Sequence, residues 1–287
     1  MGRAEVHSTA HVDPAAQLGE DVFVGPFSLV GAGVALGART RLISHVQIAG
    51  PTTLGEDNLI HPFAVVGGPA QMRQSAQPDE NEEFGLRIGD GNEFREHVTI
   101  NRGTWRDTVV GDGNYLMTGS HVGHDVLLGN NCTFANDAAL AGHCEVGDQV
   151  NFGGAAMAQQ GTRIGRLSFI GGLVGVNRDL PPFCMVHRTK AVSSLNLVGL
   201  RRSGMRASID PLRRAFDLLY RHGLPLREAA DAIDEAVGDD PACQELIEFV
   251  RKADRGVLRY VSKEPARRRL FDAAKDLAPS TDDHDDE

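Results

Sequence analysis

A chain of 287 residues with 41% hydrophobic content is long enough for one large domain or two ordinary ones, and it can bury a real core. Its formal charge of -10 argues against general affinity for nucleic acid or an anionic membrane, so an acidic partner would need a local basic patch. The first residues, MGRAEVHSTA, hold no apolar run of signal-peptide length and no segment approaches a membrane span, which points to the cytoplasm; Cys132, Cys144, Cys184 and Cys243 form no C-x-x-C pair and read as free thiols.

In chain order, the first element is a repeat. From Val12 an apolar residue recurs every six positions through Leu18, Val24, Val30, Leu36, Leu42, Ile48, Leu54, Ile60 and Val66, usually followed by glycine. The register breaks at about 67–87, resumes at Ile88, Phe94 and Ile100, breaks again at about 101–109, then runs from Val110 to Val176. A period of six fits neither a helix face nor a hairpin strand. It fits a triangular parallel β-helix of hexapeptide repeats, three to a coil, with Gly, Asn or Asp at corners where positive φ is cheap. Residues eighteen apart become neighbours on adjacent coils, and the two breaks become outward loops on a rigid scaffold.

Asn177-Arg178-Asp179-Leu180-Pro181-Pro182 is expected to end the solenoid, because consecutive prolines remove ladder donors. A helical texture follows. Asp210-Pro211 reads as an N-cap and first-turn proline, with Leu212, Phe216, Leu219 and Tyr220 at helical spacing. Further helices are expected at about 226–237, from Asp240-Pro241 to about 255, and from Glu264-Pro265 to about 277, before the acidic end STDDHDDE, which reads as a disordered tail. The resulting division is a β-helix over 1–190, a C-terminal helical domain over 191–260, and an extension over 261–287.

The stretch GSHVGHDVLLGN interrupts the repeat's small corner residues with His121, His124 and Asp125. His143, nineteen residues beyond His124, should stack nearly above it on the outer face. Such a cluster fits a general base with supporting polar groups, or a metal site.

The segment LMTGSHVGHDVLLGNNCTFANDAALAGHCEVGD, with TINRGT at 99–104, DLPPF at 179–183, NLVGLRRSGM at 196–205 and the helical RRAFDLLYRHG and ADRGVLRY, resembles the UDP-N-acetylglucosamine O-acyltransferase family of lipid A biosynthesis. The likeness runs from near the N-terminus to about residue 260. The resemblance implies a left-handed β-helix and a homotrimer with active sites in the clefts between subunits. It implies acyl transfer from acyl carrier protein to a UDP-amino sugar, with the carrier's phosphopantetheine thioester as donor and neither a separate cofactor nor a metal. By the same resemblance His124 is the general base, Asp125 orients it, and the Gly142 backbone N–H faces the developing oxyanion. His121 and His143 line the sugar-nucleotide site, Gln71 in the first outward loop is a further substrate-binding position, Asn196 and Arg202 contact nucleotide and phosphates, and Gly172 lies along the acyl groove. Seven arginines against two aspartates over 201–227 supply the basic patch that an acidic carrier requires.

Several positions depart from the family pattern. Met72 stands for an aspartate that contacts the sugar, Gln74 for a lysine, Gln159 for a histidine, Val198 for a glutamate and Ser203 for an arginine. The catalytic centre is intact while its binding shell is altered. The sequence therefore leaves open an N-acyltransferase on a 3-amino or other nucleotide sugar, and a β-helix metalloenzyme of carbonic anhydrase type.

Overall fold

The computed structural model of the chain describes residues 2–73, 84–188 and 190–261. Strands of two to four residues assemble into three sheets of 11, 9 and 8 strands, here called first, second and third in the order the chain meets them. The chain visits the three in rotation. Each strand pairs in parallel with the one eighteen residues on: His121↔Ala139, Ala139↔Met157 and Met157↔Gly175 on the second sheet. The outward loops lengthen that step, so Thr99 pairs with His121.

The residues that carry the six-residue period point inward, and from Val24 to Val176 they are buried. A second inward position per side is filled by small or polar groups. Asn58, Asn92 and Asn114 stack there, each side-chain oxygen accepting the backbone N–H of the residue above, the last at Cys132 N. These three stacked amides are thus satisfied along the axis, as burial requires.

Gly, Asp and Asn take positive φ at several corners as expected, among them Gly33, Asp57 and Asn131, but glycine also has a second role. Positive φ at the corners is carried by bulky residues as well as small ones, among them Phe27, His45, Phe63, Gln149 and Leu173. Ladder bonds between equivalent corners, such as His143 N to His124 O at 2.9 Å, hold these conformations against their steric cost. The glycine after the inward aliphatic answers close coil spacing instead: a Cβ on Gly123 would lie 2.8 Å from Gly142 N.

The loop boundaries are tighter than the broken register suggested. Strands Val65–Gly68 and Leu86–Ile88 bracket the first loop, and Thr99–Asn101 and Thr108–Val110 bracket the second. Nor do the prolines end the solenoid. Leu180 bridges Ile164, and Cys184–Val186 pairs in parallel with Phe169–Ile170, because Pro181 and Pro182 fall at a corner outside those strands. Closure comes from Val192–Leu195, which pairs antiparallel with Cys184–Val186.

The helices are α1 (Leu197–Arg202), α2 (Ile209–Tyr220), α3 (Leu226–Val237) and α4 (Pro241–Arg251). Asp240 caps α4 as expected, accepting from Ala242 N and Cys243 N. Asp210 is not a cap; α2 begins one residue earlier, which places this carboxylate in the first turn, where the helix dipole favours it. Helix α4 stops at Arg251 rather than near 255, and the chain returns to the solenoid through bridges Asp179↔Val257 and Val192↔Tyr260. The helix expected at about 264–277 and the acidic tail lie outside the described residues, as does Gln74.

Candidate active site

His124 and Asp125 form the corner between the second-sheet strand His121–Val122 and the third-sheet strand Leu127–Leu128. One coil on, the equivalent corner holds Gly142 and His143. The stacking partner of His124 is therefore Gly142, while His143 lies over Asp125 and meets the His124 ring edge-on, centroids 5.0 Å apart.

His124 does not stand on an open outer face. The loop after Asn101 folds over the corner, leaving His124 8% exposed and Asp125 wholly buried. Asp125 is what holds that loop down. Its Oδ1 accepts the consecutive backbone N–H groups of Thr104, Trp105 and Arg106 at 2.9, 2.8 and 3.0 Å, and its Oδ2 accepts the Thr104 hydroxyl at 2.6 Å. Asp125 N in turn donates to Thr108 Oγ1. Burial would raise the carboxyl's pKa, but the Thr104 hydroxyl, His124 and the loop N–H groups outweigh it and hold the acid well below its ordinary range.

The remaining donor to Asp125 is His124. Its Nδ1 lies 2.5 Å from Oδ2, and because the carboxylate can only accept, the imidazole proton sits on Nδ1 and leaves the Nε2 lone pair free. On its other side the ring rests against Gly142, where a Cβ would fall 2.6 Å from Cε1 and Nε2. Gly142 N makes no hydrogen bond with a described residue, so this N–H is available to an incoming oxygen.

Two more histidines flank the base. Burial lowers the pKa of His143, with Asp125 opposing and His124 and Arg106 reinforcing the shift. Burial and the nearness of His124 lower that of His121, with the Thr99 backbone opposing, and its Nδ1 lies 2.7 Å from Thr99 Oγ1. His124, Asp125 and His143 bring ligand-type atoms within 4.8 Å of one another. That set does not suit a metal ion, because both oxygens of Asp125 are already taken by five donors.

This centre and its scaffold have relatives of known name. The profile described as UDP N-acetylglucosamine O-acyltransferase, domain 2, matches residues 179–258, and that for the bacterial transferase hexapeptide of six repeats matches 107–142. The acyl-[acyl-carrier-protein]--UDP-N-acetylglucosamine O-acyltransferase of Halorhodospira halophila is 43% identical over 259 residues, covering 88% of this chain and 99% of the relative. The chain belongs to this acyltransferase family. Solved structures agree: LpxA from Acinetobacter baumannii matches at 36% identity with a TM-score of 0.84, covering 88% of this chain and 99% of that one. The UDP-N-acetylglucosamine O-acyltransferase of Moraxella catarrhalis matches at 33% and 0.83, with coverage of 88% and 99%.

Other residues implicated by likeness to the acyltransferases are spread along the prism. Gln71 and Met72 begin the first loop, exposed and half-buried. Gln159 is exposed beside a pocket of about 260 Å³ that includes Met157, Gly175 and Lys190. Asn196 is spoken for within the chain: its oxygen caps α1 by accepting Gly199 N, and its amide donates to Leu167 O. Arg202 ends α1, exposed, with Ser203 as its C-cap and Val198 open on its first turn. Gly172 sits at the corner between first and second sheets, so it shares no corner with His124, and the second sheet's outer face lies between them.

The sequence placed the second loop but not its seating of Asp125. Its one visible trace was the register break just before the His124 coil, since backbone N–H donors leave no mark in residue identity. All seven arginines of 201–227 are exposed. Arg213 and Arg221 pair with Asp210 and Asp217, while the other five form no ion pair with a described residue. No helix among the described residues is long and apolar enough to cross a membrane.

Proposed function

We propose that this chain transfers a (3-hydroxy)acyl group from acyl carrier protein to a UDP-N-acetylglucosamine-type sugar nucleotide, the first step of lipid A biosynthesis, in the cytoplasm and as a homotrimer. The observation that carries this reading is the His124 imidazole, oriented by Asp125 through Nδ1 and leaving Nε2 unblocked against Gly142. Nε2 takes the proton of the sugar hydroxyl as its oxygen attacks the thioester carbonyl carbon, a contribution of roughly 10² to 10⁴ in rate. The Gly142 N–H stabilises the resulting oxyanion. Collapse breaks the C–S bond, and the departing carrier thiolate recovers the proton from Nε2–H.

The free arginines of α1 and α2 are the docking surface for an acidic carrier. In a trimer the corner bearing Gly172 on one protomer lies beside the corner bearing His124 on the next, which gives the acyl chain its groove. His121, His143, Gln71 and Gln159 border the acceptor, and Arg202 meets its phosphates. Met72 cannot accept a hydrogen bond strongly from the sugar, so discrimination at that hydroxyl is weak and a 3-amino analogue is the alternative acceptor.

The test is an acyl-transfer assay with a panel of acyl carrier and coenzyme A thioesters against UDP-N-acetylglucosamine and its 3-amino analogue. Transfer from the carrier to UDP-N-acetylglucosamine is expected; its absence with every donor rejects the acceptor.

A further inference from the structure

Trp105 is the only tryptophan in the chain, and the chemistry above makes no use of it. Its backbone is fixed, since its N–H shares Asp125 Oδ1 with those of Thr104 and Arg106. The residue as a whole is 61% exposed. The ring nevertheless has a defined seat, tilted 39° against His143 with centroids 5.2 Å apart, and His143 abuts His124. A large apolar face is thus held in the open, one ring removed from the base.

We infer that the indole of Trp105 is the platform on which the pyranose of the acceptor lies while its hydroxyl reaches His124 Nε2. The inference rests on the reading of the acceptor as a UDP-sugar. The group that gives its proton to Nε2 is a hydroxyl on the sugar ring, so that ring must lie within one hydrogen bond of the imidazole, whereas the acyl chain only starts there and runs away from it. One face of a pyranose presents C–H bonds of weakly positive character, which suit the negative face of an indole. Rigid support matters as much as contact area. With only two side-chain torsions and the indole already resting against His143, little freedom is lost on binding. The same contact offsets the weaker polar recognition that Met72 brings, because stacking holds a sugar without reading each hydroxyl.

Since Trp105 is the sole tryptophan, the intrinsic fluorescence of the full-length protein reports on this position alone. Titration with UDP-N-acetylglucosamine should quench or blue-shift the emission, with half-saturation equal to the dissociation constant found by calorimetry. UDP alone should move it much less, and an acyl-pantetheine donor not at all. In steady-state kinetics Trp105→Ala should raise the KM for the sugar nucleotide about tenfold with kcat little changed, while Trp105→Phe stays near wild type. Thermal melts should be equal for all three, since the alanine variant keeps the N–H that Asp125 accepts. Binding by calorimetry with unmoved emission, an equal response to UDP alone or to the donor, or a Trp105→Ala loss confined to kcat would each overturn the platform while leaving the acceptor in place. Calorimetry that finds no binding of the sugar nucleotide would overturn the acceptor reading and the platform with it.

Discussion

At the scale of single residues, one nitrogen of the His124 ring is engaged by Asp125 and the other is left to react. Substitution His124→Ala should cut turnover by roughly 10² to 10⁴. It removes one donor from a buried carboxylate that keeps four others, so the stability cost should be near 1–2 kcal/mol rather than a collapse. Kinetics and a thermal melt check both halves, and more than a tenth of wild-type turnover would exclude His124 as the base. Gly142→Ala probes the other side of the ring. Its Cβ would displace the tip of a side chain, not backbone, so the variant should melt near wild type yet turn over at least a hundredfold more slowly. The flanking histidines make a pH prediction. His121 and His143 have pKa values lowered by burial, so below about pH 6.5 the unfolded chain binds protons that the folded chain refuses. Their contribution is constant above that value, and stability falls as pH drops through the folded values. Asp125 behaves as a depressed acid: its contribution holds above about pH 4 and disappears only as pH falls through a folded value lower still. Melting temperatures at pH 7 and pH 5 should therefore differ less in His143→Asn than in wild type, and equal differences would contradict the assignment.

At the scale of elements, corners and caps decide what each position can tolerate. Gly172 could owe its presence to a corner that needs positive φ, but its neighbour Leu173 carries that conformation, at 61°. A Cβ on Gly172 would meet only the Gly154 backbone, its O at 3.2 Å and its N at 3.6 Å, a tight but local contact. Gly172→Met should therefore fold and shift donor preference toward shorter acyl chains, because each methylene beyond the obstruction forfeits about 0.8 kcal/mol of burial. A length profile unchanged across the carrier panel would exclude the groove. Asn196 illustrates the opposite case. With both ends of its amide bonded to Gly199 N and Leu167 O, it positions α1, and through α1 it sets where Arg202 points from the solenoid.

At the scale of the whole molecule, one edge of the prism is too apolar for a free surface. Along the corner between first and second sheets, Phe27, His45, Phe63 and His97 stack with ring centroids 5.0 to 5.2 Å apart, and Phe27 and Phe63 are more than half exposed. Leu173, at 87% exposure, lies farther along the same edge, past corners at Gly119, Asp137 and Ala155. Contiguous exposed apolar side chains of this kind mark an interface, and closed symmetry is the common way to cover one. Phe63→Asp should leave the circular dichroism of the solenoid intact and convert a trimer into smaller, inactive species. Light scattering and the transfer assay read the two effects, and an active monomer in the wild type would remove the argument.

The sequence by itself determined the solenoid. A six-residue period repeated over more than twenty sides states the same instruction many times, so a weak member such as Ala158 cannot obscure it. It also placed α3 and the Asp240 cap of α4, whose signals are local and carried by side-chain chemistry. His124, Asp125 and His143 stood out against small corner residues, whereas Gly142, one more glycine among many, was marked only by the family resemblance; the structure brings His124 against both Asp125 and Gly142. What only the tertiary structure decided lay in contacts between segments distant along the chain. The seating of Asp125 depends on three backbone N–H groups some twenty residues earlier, and the burial of His124 depends on the loop they belong to. Helix α1 escaped notice because it is six residues long and owes its start to a cap shared with Leu167. The prolines at 181 and 182 misled because a proline breaks a ladder only where its N–H would have joined one, and whether a residue falls on a side or at a corner is a property of the coil, not of the residue.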